Sequence, residues 1–261
     1  MKYGFIGCGN MGGALAKALI KSTNSILLSD PSPSAQALAD ELGCQLVSNE
    51  YAALNCDRLF LAVKPQVMSA VLAPLQVILR EQKPLLITIA AGLEISKIES
   101  FVGCRLPIIR IMPNTPVAVG KGMITYCAND LVSEEMMKDF LQDMEFAGCM
   151  DQLPEKLIDA ASALAGCGPA FMYMFMEALA DGAVACGLPR QNAISYAANT
   201  MIGAAQMVLE TGMHPGTLKD NVCSPGGSTI EGVKVLEEHG LRGAVMDCIT
   251  AAYKRSQELG K

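Results

Sequence analysis

Two glycine-bearing segments of this chain have residue types and spacings suited to holding anions. The first is Gly7-Cys8-Gly9-Asn10-Met11-Gly12, which follows an apolar run over residues 2–6 and opens a helical pattern. In such a turn the first glycine permits a tight bend and the second lets backbone approach a pyrophosphate. The third lets the helix pack close against the strand. The other segment is Ser224-Pro225-Gly226-Gly227-Ser228-Thr229, which precedes a helical run over 230–239 that stops at Gly240. A loop of that kind leaves backbone N–H groups facing outward at the positive end of a helix, where a carboxylate or phosphate is stabilised. The first segment implies a dinucleotide, and the second implies a small anionic molecule held beside it.

Further residues cluster around the dinucleotide motif. Asp30 ends the second apolar run, where a carboxylate hydrogen-bonds the adenosine ribose 2′-hydroxyl and repels a 2′-phosphate. It therefore favours NADH over NADPH, although Ser32 and Ser34 could still receive a phosphate and both cofactors stay open. Ser32-Pro33 already makes a cap and first-turn pair, so Asp30 is not needed for capping. Ala62-Val63-Lys64-Pro65 ends another strand on the same edge, and Lys64 reads equally as a cofactor contact or a solvated lysine. Ala90-Ala91-Gly92 follows the next strand, where small residues admit a nicotinamide ring. Met112-Pro113-Asn114-Thr115-Pro116 is a rigid turn whose Asn114 and Thr115 are either ligand contacts or turn formers.

The elements that must position these residues alternate in the first part of the chain. Strands are expected at 2–6, 26–28, 45–47, 59–63, 85–89, 108–111 and 122–127, with helices over 11–21, 34–42 and 67–80. Beyond about residue 154 only helical periodicity remains, broken near 166–169, 187–189, 212–215 and 224–227. The expected fold class is α/β: an N-terminal Rossmann-type dinucleotide-binding domain (1–152) with a mainly parallel sheet, then an all-helical domain (153–261).

Composition narrows the function classes. The chain has 261 residues, 51% of them apolar, which excludes disorder. With 20 basic and 26 acidic residues the net charge is −6, so no nucleic-acid partner is expected. Ten cysteines stand singly with no CxxC pair and no cleavable leader is expected, so they read as reduced, mostly buried thiols of a cytoplasmic protein. Two histidines, His214 and His239, are too few for a histidine-rich metal site, and no metal is expected. Residues 160–176 carry no charge, yet the run is short for a membrane span and broken by glycine and proline. A buried helix, shared with a second subunit, is expected there rather than a membrane segment.

Taken in order, the motifs resemble those of the pyrroline-5-carboxylate reductase family. They run from Gly4-Phe5-Ile6-Gly7-Cys8-Gly9-Asn10-Met11-Gly12, through Ala62-Val63-Lys64-Pro65 and Met112-Pro113-Asn114-Thr115-Pro116, to His214-Pro215-Gly216. Leu218-Lys219-Asp220-Asn221-Val222-Cys223-Ser224-Pro225-Gly226-Gly227 completes the set and is the most specific member. The resemblance implies hydride transfer from NAD(P)H to C5 of the cyclic imine Δ1-pyrroline-5-carboxylate, giving L-proline, the last step of proline biosynthesis. It implies a homodimer intertwined through the helical domain, each active site drawing on both subunits, with further assembly up to a decamer of dimers. Cofactor contacts are implied at Ile6, Gly7, Cys8, Gly9, Asn10, Met11, Asp30, Asn49, Ala62, Val63, Lys64, Pro65, Ile89, Ala90 and Ala91, with Gly12 completing the motif. Substrate contacts are implied at Asn221, Ser228 and Thr229. The chain departs from the family's Ser-Gly-Ser-Gly-Pro-Ala-Tyr at Ala165-Gly166-Cys167-Gly168-Pro169-Ala170-Phe171, and Asp30 stands where a hydroxyl residue is more usual.

Reducing an imine asks the protein to orient two ligands and to favour a protonated nitrogen. The substrate carboxylate is expected on the backbone N–H groups of Gly226, Gly227, Ser228 and Thr229. Thr229 Oγ1 is the candidate catalytic group, hydrogen-bonded to the ring nitrogen as donor or proton relay. Ser228-Thr229-Ile230-Glu231 also reads as a capping box, so Ser228 is expected to cap the helix and leave Thr229 for the ligand. His214, before Pro215-Gly216, suits a helix cap better than a general acid, and His239 suits a helix C-terminus. Met172, Met174 and Met176 read as core or interface. Two other readings compete: a dehydrogenase of β-hydroxy acids or other imines, and a nucleotide-binding regulator without catalysis. The first expects a lysine on a long helix, and residues 155–188 offer only Lys156. The second has no use for a carboxylate-binding loop.

Overall fold

The computed structural model describes residues 1–259. Its eight strands are β1 (Tyr3–Ile6), β2 (Ile26–Ser29), β3 (Gln45–Leu46), β4 (Arg58–Leu61), β5 (Leu85–Thr88), β6 (Ile108–Met112), β7 (Gly122–Ala128) and β8 (Gly148–Gln152). They form one sheet in the order β3-β2-β1-β4-β5-β6-β7-β8. Every pairing is parallel except β6 with β7. Between the strands run α1 (Asn10–Leu19), α2 (Ser34–Leu42), α3 (Asn49–Asn55), α4 (Pro65–Leu72), α5 (Gln76–Gln82), α6 (Ile95–Val102) and α7 (Glu134–Asp143), and α8 (Glu155–Ala161) follows β8.

The central strands are apolar on both faces because helices cover both. On one face Tyr3, Phe5, Phe60, Ile87 and Ile109 pack with Leu15 and Leu19 of α1, Leu38 of α2 and Phe140 of α7. Phe5 and Phe60 are register partners whose rings stack 4.4 Å apart. On the opposite face Ile6, Leu59, Leu61, Leu86 and Ile108 meet Ala52 of α3, Met68 and Leu72 of α4, Leu79 of α5 and Ile98 of α6. Each such large side chain contributes about 1.5–3 kcal/mol when fully buried.

The helix expected over 67–80 is split: α4 ends at Leu72, a 3₁₀ turn spans Ala73–Leu75, and α5 follows. Pro74 lies in that turn and has no N–H to continue an α-helical ladder. The break expected near 166–169 is instead a change of helical type. Ser162–Gly166 form a π turn, with Cys167 N donating to Ser162 O at 3.1 Å, and helix resumes at Gly168.

Two compact units divide the chain: Met1–Cys167 together with the stretch from Ala252 onward, and Gly168–Ala251. The second unit is helical: α9 (Gly168–Ala185), α10 (Arg190–Thr211), α11 (Pro215–Val222), α12 (Ser228–Glu238) and most of α13 (Leu241–Leu259). Within the chain these helices bury little. Alpha-9 buries only Ala180, α10 only Ala193 and Ala197, and α11 and α12 nothing. Met172, Tyr173 and Met174 are exposed, so the helix expected to be buried is not covered by its own chain. The stretch Glu155–Ala185 is long and apolar enough to cross a membrane by length and composition alone.

All ten cysteines are free. Mostly buried thiols were expected, yet only Cys8, Cys56 and Cys127 are buried. Cys149 is exposed on the edge strand β8, and Cys167 and Cys186 are exposed where no core forms.

Candidate active site

The residues expected around a dinucleotide lie on segments joined along the carboxyl-terminal edge of the parallel strands. Gly7 N donates to Ser29 O (2.8 Å), Ala62 N to Ile6 O (2.8 Å) and Ile89 N to Leu61 O (3.3 Å). The ends of β1, β2, β4 and β5 are thus stitched side by side, and open α/β sheets bind ligands at that edge. The glycines of the motif differ in what requires them. Gly7 has φ +98, and a Cβ there would lie 2.6 Å from the Ala62 carbonyl; a Cβ on Gly12 would lie 2.3 Å from Gly7 O. Both are demanded by the fold. Gly9 has φ −64, and a Cβ there would meet nothing within 4 Å. The fold leaves the space above Gly9 open, and α1 begins there with no side-chain cap, so its first N–H groups can receive a pyrophosphate.

Asp30 sits over this loop. Its Oδ2 accepts from Cys8 N at 2.6 Å and its Oδ1 from Ser32 N at 2.7 Å. The carboxylate is therefore fixed by two charge-assisted bonds beside the exposed Ser32 and Ser34 hydroxyls, themselves 2.8 Å apart. Asn49, the first residue of α3, accepts from Ser29 Oγ at 2.7 Å, one residue from Asp30. Lys64 is the exposed N-cap residue of α4, with Pro65 at its first turn, and makes no ion pair among the described residues. The Cys8 thiol faces Ser29 O, and burial pushes it up to about 12, so it stays neutral inside the loop.

In the helical unit the second glycine loop is a tight turn, closed by Gly227 N donating to Ser224 O at 3.0 Å. Gly226 has φ +69, the left-handed region that suits glycine, and a Cβ on Gly227 would lie 2.4 Å from Ser224 Oγ. Gly227 is the N-cap of α12, in extended conformation, and no side chain caps that end. This corrects the expectation for Ser228. Because Gly227 turns the chain into the helix, Ser228 is already helical and its hydroxyl does not act as the cap. Ser228, Thr229 and Asn221 are exposed and their side chains make no hydrogen bond among the described residues. The uncapped N–H groups and both hydroxyls remain available to a carboxylate and a ring nitrogen. His214 caps α11, its Nδ1 accepting from Gly216 N at 3.0 Å, and is committed to that role.

Comparison with known proteins decides the family. A family model described as "Pyrroline-5-carboxylate reductase dimerisation" matches residues 155–259, and one described as "NADP oxidoreductase coenzyme F420-dependent" matches residues 2–92. A pyrroline-5-carboxylate reductase of Escherichia coli (strain K12) is 42% identical, covering 100% of this chain and 98% of its own length. The chain belongs to the pyrroline-5-carboxylate reductase family. A pyrroline-5-carboxylate reductase of Pisum sativum is 39% identical over 98% of this chain and 95% of its own. Among solved structures, that of Plasmodium falciparum pyrroline carboxylate reductase with NADP bound aligns with a TM-score of 0.91 at 34% identity. It covers 100% of this chain and 98% of its own.

Several polar residues of this pyrroline-5-carboxylate reductase family member were not legible as functional or structural beforehand. Asn114 is 7% exposed and fully engaged, its Oδ1 accepting from Met123 N and its Nδ2 donating to Ala165 O, both at 2.9 Å. Of the two readings, ligand contact or turn former, the structure places it in backbone bracing; its neighbour Thr115 is exposed. Arg110, 1% exposed on β6, pairs with Glu155 (3.3 Å) and Asp159 (2.7 Å) of α8. Arg58, buried on β4, pairs with Asp139 and Asp143 of α7, and Asp143 also accepts from the Tyr3 hydroxyl. A charged residue inside an apolar strand run was the available signal, since burial demands a partner.

Proposed function

We infer that the protein reduces Δ1-pyrroline-5-carboxylate to L-proline with a nicotinamide cofactor. The observation that carries the reading is the start of α12: a glycine-closed turn, no side-chain cap, and Thr229 exposed beside the free N–H groups. The relatives that match the whole chain carry the same activity in their names. A cofactor fits the residues present, because the open space at Gly9 and the uncapped end of α1 have no structural purpose of their own. When bound, the reduced nicotinamide supplies the hydride.

The chain's own residues bind, orient and protonate. Gly7, Gly9, Asn10 and Gly12 cradle the pyrophosphate, Asp30 and Asn49 face the adenosine ribose, and Ala62–Pro65 and Ile89–Ala91 border the nicotinamide side. Backbone N–H groups from Gly226 to Thr229 hold the substrate carboxylate, Asn221 and Ser228 contact the ring, and Thr229 Oγ1 hydrogen-bonds its nitrogen. The hydroxyl stays neutral: it donates a hydrogen bond to the ring nitrogen or relays to it a proton taken from water. The Plasmodium relative was solved with NADP; here the fixed Asp30 carboxylate favours NADH, because it accepts from a ribose hydroxyl and repels a 2′-phosphate.

The helical domain is read as beginning at about residue 153, close to where the dimerisation model starts. Its exposed Met172, Tyr173, Met174, Ile202 and Leu209 are read as covered by a second copy rather than by lipid, giving a homodimer. Dimers assembling further, to a decamer of dimers, rests on the family resemblance. Ten free thiols suit a reducing, cytoplasmic compartment. The test is direct: pyrroline-5-carboxylate added to the protein with NADH, then with NADPH, should consume the cofactor and yield proline. Absence of oxidation with both would overturn the reading.

A further inference from the structure

We propose that Asn114 is a positioning residue for the reaction: it fixes the joint where the chain leaves the nucleotide-binding unit by making the hydrogen bond that Pro169 cannot. The proposal rests on the reductase reading, since its effect is read as turnover of the imine.

Asn114 follows β6, which runs parallel to β5 and ends on the cofactor edge of the sheet. Pro113 and Pro116 flank it, and a 3₁₀ turn over Thr115–Val119 follows, so its backbone is stiff. From that base Nδ2 reaches Ala165 O. In a regular helix that carbonyl would accept from the residue four positions on. That residue is Pro169, which has no N–H. An α-helical register therefore leaves that carbonyl without a donor, and Asn114 Nδ2 supplies one. Among the described residues this is the one side-chain hydrogen bond to the backbone of residues 162–170. The segment otherwise offers little to hold it: Ala163, Leu164, Ala165, Gly166, Gly168, Pro169 and Ala170 have no side-chain donor or acceptor.

The joint has a second anchor about two to three turns upstream, where Glu155 and Asp159 of α8 pair with the buried Arg110. Arg110 and Asn114 stand on the same strand and its following turn. Together they bind residues 155–165 to β6, and the chain then passes through Gly166 and Gly168 into α9. Asn221 and Thr229 belong to the helical unit that this passage enters. A π turn is held by the exact choice of carbonyl partners, and a freed Ala165 carbonyl can slip the register of the helix that follows. Misplacement by about 1 Å at a reacting centre costs as much as a hundredfold in rate.

A double-variant cycle tests this. Asn114→Ala is expected to lower kcat/KM for pyrroline-5-carboxylate by roughly tenfold to a hundredfold, with the cofactor Kd unchanged. Pro169→Ala, which returns an N–H to position 169, is expected to stay near wild type. The double variant is expected to recover most of the loss, because the restored N–H satisfies Ala165 O in place of Asn114 Nδ2. Additive losses, or a cofactor Kd that rises in step with the loss of turnover, would overturn the proposal. If Asn114→Ala does not yield folded protein, the cycle is run with Asn114→Asp, which keeps an acceptor for Met123 N–H but replaces the donor to Ala165 O with a carboxylate oxygen. There too, a double variant no better than the single overturns it. Failure of the unaltered protein to reduce the imine would count against the reductase reading instead.

Discussion

Replacing Asp30 should move cofactor preference toward NADPH, and the structure sets the size of the shift. The carboxylate holds Cys8 N at 2.6 Å and Ser32 N at 2.7 Å, so it cannot swing away from an incoming group. A 2′-phosphate brings about 1.5 to 2 negative charges near neutral pH. Two unit charges 4 Å apart repel by about 1 kcal/mol in water and about 4 kcal/mol at an effective dielectric of 20. Asp30 is half-buried and its serine neighbours are exposed, so the lower half of that range applies. A shift of about 1–3 kcal/mol corresponds to roughly fivefold to 150-fold in the ratio of kcat/KM values. Asp30→Asn removes the charge and keeps one acceptor oxygen, whereas Asp30→Ser also offers a hydroxyl to the phosphate. Both variants lose charge-assisted bonds worth about 1.5–3 kcal/mol each, which loosens the loop for either cofactor. Absolute rates with NADH and NADPH should therefore both fall, and only the ratio is diagnostic. Initial rates with each cofactor at saturating imine measure it. An equal loss with both, or a shift further toward NADH, would refute the electrostatic argument.

Further outcomes follow from geometry already described. Gly9→Ala should leave the unfolding midpoint unchanged, since its Cβ meets nothing, while raising the cofactor Kd by about tenfold or more. Gly12→Ala, whose Cβ would press on Gly7 O, should instead cost about 1–3 kcal/mol in chemical denaturation. Thr229→Ala should lower turnover on the order of tenfold to a thousandfold without weakening cofactor binding, and unchanged steady-state kinetics would remove it from the mechanism. Ser228→Ala should not show the ~1 kcal/mol loss expected of a helix cap, because Gly227 holds that place. Alkylation followed by mass spectrometry should find Cys149 labelled first, with Cys8, Cys56 and Cys127 lagging. Burial pushes those thiols up to about 12, 11 and 11, so at about pH 8 almost none is thiolate, the reactive form; raising pH should narrow the gap.

How far the sequence could be read depended on whether a residue's role was local. The glycine motif, the strand ends at Ala62 and Ile89, and the proline-glycine loop before α12 were legible because each follows from chain geometry over six to ten residues. The short edge strand β8 was not, since its solvated sequence carries no strong period-two signal. Nor was the split of α4 from α5, although Pro74 was in view. Ser228 was misplaced by one position, because a capping box and a glycine-led helix start look alike in sequence and only the backbone at Gly227 separates them.

Long-range polar pairs were the least legible, and they share one logic. Arg58 and Arg110 interrupt apolar strands, and each is met by two carboxylates four positions apart on a helix, Asp139 with Asp143 and Glu155 with Asp159. That spacing puts both acids on one helical face. Removing one partner of such a buried pair costs about 3–5 kcal/mol, so these contacts specify which helix face meets which strand. At Asn114 the demand comes from a missing donor rather than a buried charge. Pro169 has no N–H to offer the Ala165 carbonyl, and a side chain 51 residues earlier donates to it. In each case the sequence signal is a group that its own element cannot satisfy. The partner is found by asking which distant residue can, and before α9 the answer ties the turn after β6 to the π turn at residue 165.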